Sequence, residues 1–259
     1  MALLPLFHLY AQLSGTYTVG SGGDYSTISA AVADLNLQGV GTGGVTFLVS
    51  AGHTETLSSR MNLAVTGTSS NPIVFQKSGS GANPLITAYA GGTATPSSLV
   101  PDGIWSLSGC GYVTINGIDL YDPNAANPET MEYGYGLFKA SITDGCQHIT
   151  ISNCTVTLNK TNNASSSGPM PEGSTAILMV NSTAEAATTA LPITSSSGTN
   201  SFNHFYGNTL QNCNYGLWLY GFAATSGTGP SPNPLTFLGD LDNIAGGSTL
   251  EYGNTILNF

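Results

Sequence analysis

The feature that most constrains this chain is a short internal repeat. Residues 109–120, GCGYVTINGIDL, align with residues 145–156, GCQHITISNCTV, at an offset of 36 positions. Glycine and cysteine open both copies, and the aliphatic positions 113/149, 115/151 and 120/156 coincide. A weaker copy, FYGNTLQNC, occupies residues 205–213, and YGNTILNF occupies residues 252–259. Copies of one short-strand unit at unequal spacing describe stacked coils joined by loops of different length. A propeller blade would need four longer antiparallel strands per repeat, and the leucine-rich consensus is absent. The repeat therefore predicts an all-β fold, a right-handed parallel β-helix, in which each coil pairs its backbone with the coils on either side.

The rest of the sequence agrees. Runs such as Val45–Val49, Pro72–Gln76, Pro84–Tyr89, Ile104–Leu107, Val113–Ile115, Ile149–Ile151 and Ile177–Val180 are separated by Gly, Asn, Ser and Pro. Val113, Ile115, Ile118 and Leu120 would point inward between polar neighbours. Only residues 24–38, DYSTISAAVADLNLQ, carry helical periodicity, with Ile28, Ala31, Val32 and Leu35 on one stripe. Asp24 or Ser26 is placed to cap this helix, and Gly39 to end it. Laid across the first coil, the helix would cover its open core and unpaired backbone groups. No such seal is visible at Leu257-Asn258-Phe259, so a chain truncated at its C-terminal end is expected.

Composition narrows the partners. Charged residues are 7% of the chain, and Arg60, Lys77, Lys139 and Lys160 are its four cations, for a net charge of −10. That balance repels phosphate backbones and excludes nucleic acid as a natural partner. Residues 1–13, MALLPLFHLYAQL, read as a signal-peptide remnant cleaved near Ala11, with a short buried strand as the alternative. The β-helix domain would then span residues 14–259, exported or held at the cell surface, with no transmembrane segment. Cys110, Cys146, Cys154 and Cys213 lack CxxC pairing or zinc-type spacing, and buried free thiols are favoured over disulfides.

The segment LSGTYTVGSGGDYSTISAAVADLNLQGV, followed by VTFLVSAGHTETL and NPIVFQ, resembles the opening of large secreted β-helix proteins of Bacteroidetes, which share the pectin-lyase-like fold. The resemblance covers residues 13–76; beyond them only the repeat carries it. Where those proteins have Gly-Thr-Tyr-Thr-Glu, this chain has Gly52-His53-Thr54-Glu55-Thr56. The resemblance implies an extracellular, often adhesin-like protein, frequently exported by the type IX system, although the sorting domain of that route is absent. It also raises the polysaccharide lyases, hydrolases and esterases of the superfamily.

Each of those chemistries asks for particular residues. A lyase needs a basic residue to take a proton α to a carboxyl, and commonly Ca²⁺ to stabilise the developing charge. Lys139, near a coil edge, is the best candidate, while Lys160 reads as solvated. A hydrolase needs two carboxylates on one face. Asp119, Asp122 and Asp144 are the weak candidates, but the repeat sets positions 119 and 122 against Thr155 and Leu158, so no acid ladder forms, and turn or solvated roles are expected. His148 and His204 precede strands and could share equivalent corners. No cofactor is expected apart from Ca²⁺ in the lyase case.

A binding face fits the residues better. The insertion PNAANPETMEYGYG at 123–136 offers Glu129, Glu132, Tyr133 and Tyr135, and a later coil edge offers Trp218 and Tyr220. Aromatic faces stack on sugar rings while carboxylates and amides bond their hydroxyls. The competing reading sends these aromatics to the core. The expected function is an adhesion or glycan-binding module without catalysis, its partner a polysaccharide or cell-surface glycan; the alternative is a carbohydrate-active enzyme. An ice-binding array is disfavoured, because Thr16/Thr18, Thr54/Thr56 and Thr155/Thr157 keep no single period.

Overall fold

The structure, a computed structural model, describes residues 11–92, 100–124, 131–160, 166–167, 170–171, 173–221, 239–247, 249 and 252–259. Most of the expected signal remnant lies outside the described residues, and Leu13 is already a buried residue of the first strand. That strand, β1 (Leu13–Val19), precedes the helix α1 (Ile28–Gln38). From there the chain visits three sheets in turn, one circuit to a coil. The first coil is β2 (Val40–Ser50), β3 (Thr54–Thr56) and β4 (Met61–Leu63). The second is β5 (Ile73–Ser78), β6 (Leu85–Thr87) and β7 (Gly103–Ser108). The third is β8 (Val113–Asn116), β9 (Asp119–Tyr121) and β10 (Tyr133–Phe138).

The fourth coil holds β11 (Thr150–Ser152) and β12 (Thr155–Thr157), then a small antiparallel hairpin, β13 (Ser166–Ser167) and β14 (Met170–Pro171), and then β15 (Thr175–Met179). The fifth is β16 (His204–Tyr206), β17 (Thr209–Gln211) and β18 (Tyr215–Leu219). Strands β19 (Ile244–Ala245) and β20 (Thr255–Leu257) begin another. The first sheet stacks β1-β2-β5-β8-β11-β16-β19, the second β3-β6-β9-β12-β17-β20, and the third β4-β7-β10-β15-β18. Neighbouring strands within all three run parallel. The chain is a parallel β-helix.

The repeat sets the register. Ile115 lies opposite Ile151 and Leu120 opposite Val156, at the offset seen in the sequence. The weaker copies follow: Phe205 pairs with Ile151, Leu210 with Val156, and Ile256 with Leu210. Side chains alternate across each strand, so matching positions stack along the interior. One column of the first sheet runs Tyr17, Phe47, Phe75, Ile115, Ile151 and Phe205. Phe47 and Phe75 stack at 4.6 Å, and Trp105 from the third sheet meets Phe75 edge-on at 5.3 Å. Each such ring withdrawn from water contributes roughly 1.5–3 kcal/mol. On the outer side of the second sheet, Thr54/Thr56 and Thr155/Thr157 share a face, but Leu85/Thr87 and Asp119/Tyr121 separate them.

Buried asparagines join the corners of the later coils. Asn208 accepts the Cys154 N–H at 3.0 Å and donates to the Ile151 carbonyl, and Asn254 accepts the Asn208 N–H in turn. Asn203 and Asn243 repeat the pattern one corner earlier. Each carboxamide thus satisfies turn groups that a strand ladder leaves open. The four cysteines are buried and free, the reading favoured from the sequence. Among the described residues no helix is long and apolar enough to cross a membrane.

The helix begins later than expected, at Ile28 rather than residue 24. Asp24 is drawn back onto β1, where its carboxylate accepts both the N–H and the hydroxyl of Thr18. Thr27 is the cap, accepting the Ala30 N–H at 3.1 Å. The Ile28 and Ser29 N–H groups go to the carboxylate of Glu55, at 2.7 and 3.0 Å. Glu55 occupies the inward position of β3, at the head of the column Ile86, Leu120, Val156, Leu210, Ile256, and is 7% exposed. A column that is otherwise aliphatic therefore ends in the acceptor that the helix terminus lacks. Ile28, Ala31, Val32 and Leu35 turn into the core as their spacing predicts, and Gly39, at φ 75°, closes the helix through its N–H to the Leu35 carbonyl. Glu55→Ala is expected to cost about 1–3 kcal/mol, the penalty for leaving buried donors unpaired, read as a lower urea midpoint. Glu55→Gln, which keeps an acceptor oxygen, loses less.

Candidate functional site

The four residues singled out for catalysis do not converge. Asp119, on β9, accepts the Thr155 N–H at 2.7 Å and the Asn83 amide at 2.8 Å, and burial raises its pKa. Of the turn and solvated roles expected from the sequence, Asp122 takes the turn role, at 1% exposed. Its oxygens accept from the Asn124 N–H, the Asn124 amide and the Asn159 amide. Asp144 lies in the turn from β10 to β11, its carbonyl accepting the Ala140 and Ser141 N–H groups, with burial raising its carboxyl pKa. Lys139 is fully buried rather than placed at an open coil edge, its ammonium pKa lowered by desolvation. Asp119 and Asp122 thus flank a strand of the second sheet, while Lys139 and Asp144 sit in the turn from the third sheet to the first. Among the described residues no three His, Cys, Asp or Glu side chains gather as a metal site.

The expected ligand-binding residues divide. Tyr133 and Tyr135 belong to β10, not to an exposed insertion, and both are 0% exposed. Tyr135 enters the main core, where its hydroxyl donates to the Ile118 carbonyl at 2.8 Å. Tyr133 joins a second, smaller core with Phe138, Leu178, Val180, Ala184 and Ala187. The segment after β15 builds that second core against the third sheet, and neither tyrosine is open to a ligand. Glu132 is also buried. It accepts the Asp102 N–H at 2.6 Å, and burial, reinforced by the Asp102 and Asp122 carboxylates, pushes its pKa up to about 8. Glu129 lies outside the described residues. Trp218 packs, partly buried, against the second core and edge-on to Tyr215, whereas Tyr220 is exposed.

A different corner gathers aromatic rings beside hydroxyl and amide groups. Where the chain turns from the third sheet into the first, Tyr112, His148 and Phe202 occupy successive coils at φ 53°, 56° and 61°. Left-handed backbone costs roughly 1–2 kcal/mol for residues with a Cβ, and three bulky rings share it here. Their stacking offsets part of that cost. Tyr112 and His148 lie 4.3 Å apart at 17°, and His148 and Phe202 lie 4.8 Å apart at 7°. The facing surfaces of the rings cover one another; Phe202, 37% exposed, is the last ring of the row, and Asp242, at φ 53°, takes the same corner in the next coil.

Beside it lies a groove of about 290 Å³, lined by Phe202, Leu241, Gln147, Ser196, Thr199 and Ser201 among others. The Gln147 amide fixes the polar wall, donating to the Ser196 carbonyl at 2.7 Å and the Thr199 hydroxyl at 3.1 Å. The Thr199 and Ser201 hydroxyls share a hydrogen bond at 2.7 Å. An aromatic ring flanked by hydroxyls and an amide suits a hydroxylated ring with one apolar face. Among the described residues that line the groove there is no Asp, Glu, His, Lys or Cys. His148 and His204 are not equivalent as expected, since His204 lies on β16 opposite Thr150 and it is Phe202 that follows His148. The aligned copies hold Tyr112 and His148 at the same place. Phe202 precedes the third copy as read from the sequence, which hid the row.

No family model matches the chain, and neither a curated protein nor a solved structure matches it.

The Glu132 carboxyl gives a test of this interior. Its pKa is near 4.5 in the ordinary state and about 8 in the folded chain. A raised carboxyl favours folding in its protonated form. That contribution is complete below about 4.5 and is lost as the pH climbs through about 8. Glu132→Gln, neutral throughout, is expected to match the parent in denaturant midpoint near pH ~4 and exceed it near pH ~9. A parallel pair of pH profiles would show that Glu132 titrates alike in the folded and the unfolded chain and would overturn the raised pKa.

Proposed function

We propose that this chain is a non-catalytic β-helix module that binds a glycan at the Phe202 corner, outside the cell or at its surface. The observation that carries the reading is the exposed Phe202 ring beside a groove walled by Gln147, Ser196, Thr199 and Ser201. A hexose can lay its apolar face on such a ring and exchange hydrogen bonds with the wall. The sparse charge suits a neutral or weakly charged polymer and disfavours polyanions. The resemblance of residues 13–76 to secreted β-helix proteins of Bacteroidetes with the pectin-lyase-like fold supports the extracellular address and the adhesive role.

One observation favours the alternative of a carbohydrate-active enzyme. Glu132, held protonated next to Asp102, has the character required of a glycosidase general acid. Against it stands its enclosure, with 8% of the residue exposed.

Glycan-array binding, paired with a polysaccharide-cleavage screen, separates the two. Under the leading reading the chain retains glycans without cleaving them. Phe202→Asn, which keeps a residue tolerant of left-handed backbone, then weakens binding roughly tenfold, the equivalent of about 1.4 kcal/mol of lost stacking. Cleavage that disappears in Glu132→Gln would replace this reading with the enzymatic one.

A further inference from the structure

Lys139 and Asp240 form a buried pair that the glycan reading does not use. Lys139 ends the third coil at β10, and Asp240 stands just before β19. Their side chains are 0% and 3% exposed, and Nζ lies 3.8 Å from Asp240 Oδ1. That separation is too long for a hydrogen bond. Nζ donates instead to the Gly198 carbonyl, and Asp240 Oδ1 accepts the Asn200 N–H at 2.8 Å. Asp240 Oδ2 is buried with no hydrogen-bond partner among the described residues. Ser182, whose carbonyl accepts the Lys139 N–H, likewise holds its hydroxyl unpartnered. A buried charged oxygen without a partner is among the costlier arrangements a fold can contain. Burial also works against both charges, drawing the ammonium pKa down and the carboxyl pKa up, and so favours the neutral amine and the neutral acid.

We propose that Lys139 and Asp240 condense into an intramolecular isopeptide bond that ties the third coil to the strand segment entering the last. The neutral Nζ attacks Cγ of the protonated carboxyl, and the Nζ–Cγ bond forms. The oxygen that gains charge is Oδ1, already facing the Asn200 N–H, a donor set where charge develops. The Cγ–Oδ2 bond then breaks, and the proton released from nitrogen joins the departing hydroxyl, so that one water leaves. No oxidant, metal or cofactor enters the balance. The product resolves the polar groups that the separate side chains leave open. Its single N–H keeps the Gly198 carbonyl, its carbonyl keeps the Asn200 N–H, and the orphaned Oδ2 is gone.

The experiment is the mass of the purified chain, measured under denaturing conditions after the value has become constant, followed by peptide mapping. The expected result is a mass lower than that of the sequence by one water, with Lys139 and Asp240 in one branched peptide. Lys139→Met, which removes the amine and preserves much of the volume, restores the full sequence mass. An unmodified parent mass overturns the proposal. So does a water loss that maps to an Asp-Gly step, such as Asp102-Gly103 or Asp144-Gly145, where cyclisation of the aspartyl side chain gives the same mass change. Both readouts come from unfolded protein, so a destabilised variant does not blur them.

Discussion

A strand in this stack has no partner within its own coil. Its N–H and C=O groups find theirs only in the coils above and below, and the rest of the structure follows from that dependence. A coil that slipped by one residue would turn its aliphatic set outward. The columns headed by Tyr17, Glu55 and Met61 are therefore one requirement met on three sheets. The corners obey it too. A turn must return the chain to the same height at each circuit, so the same conformation recurs there, whether Gly117 and Asn153 occupy it or Tyr112, His148 and Phe202 do. Where no ladder can form, Asn203 and Asn208 stand in for the missing backbone partners.

How much of this was legible depended on whether the signal was local. The copies at 109–120 and 145–156 gave the register because no insertion interrupts either twelve-residue stretch, which carries one strand of the first sheet and one of the second. The pairings of β2 with β5 and of β5 with β8 were invisible, since loops of different size separate the same inward pattern. The stripe Ile28, Ala31, Val32, Leu35 was readable for the same local reason. The start of the helix was not, because it is set by Glu55 from the neighbouring coil and by the pull of Thr18 on Asp24. Tyr133 and Tyr135 sit among glycines and looked like loop residues. The second core, which Ala184 and Ala187 close from a later segment of the chain, explains the burial of Tyr133, while Tyr135 turns inside the coil into the main core. The same cover hid Lys139.

That cover gives the third sheet a character its neighbours lack. Its inner side holds Trp105, Tyr135 and Ile177, and its outer side holds Phe138, Leu178 and Val180 under Ala184 and Ala187. A strand buried on both sides reads as a continuous apolar run, as Thr175–Met179 does. The insertion that supplies Ala184 and Ala187 also supplies Ser196 and Thr199, so one excursion of the chain both closes a face and builds the wall of the Phe202 groove. The groove was missed from the sequence because it is assembled from three coils and a loop, with Gln147, Ser196, Phe202 and Leu241 far apart in the chain.

The tie between Glu55 and the first turn of α1 has a consequence in time. The helix precedes the carboxylate that holds its first N–H group by 27 residues, and the apolar stripe lacks the coil it covers until β2 to β4 exist. A chain emerging from the ribosome cannot seal this end as it is made. It must first complete a circuit, and only then does the helix become more stable than its solvated alternatives. The helix thus settles after the strands β2 to β4 that follow it in the chain. The first coil is the stage at which the nascent chain shows the most unpaired edge to its surroundings.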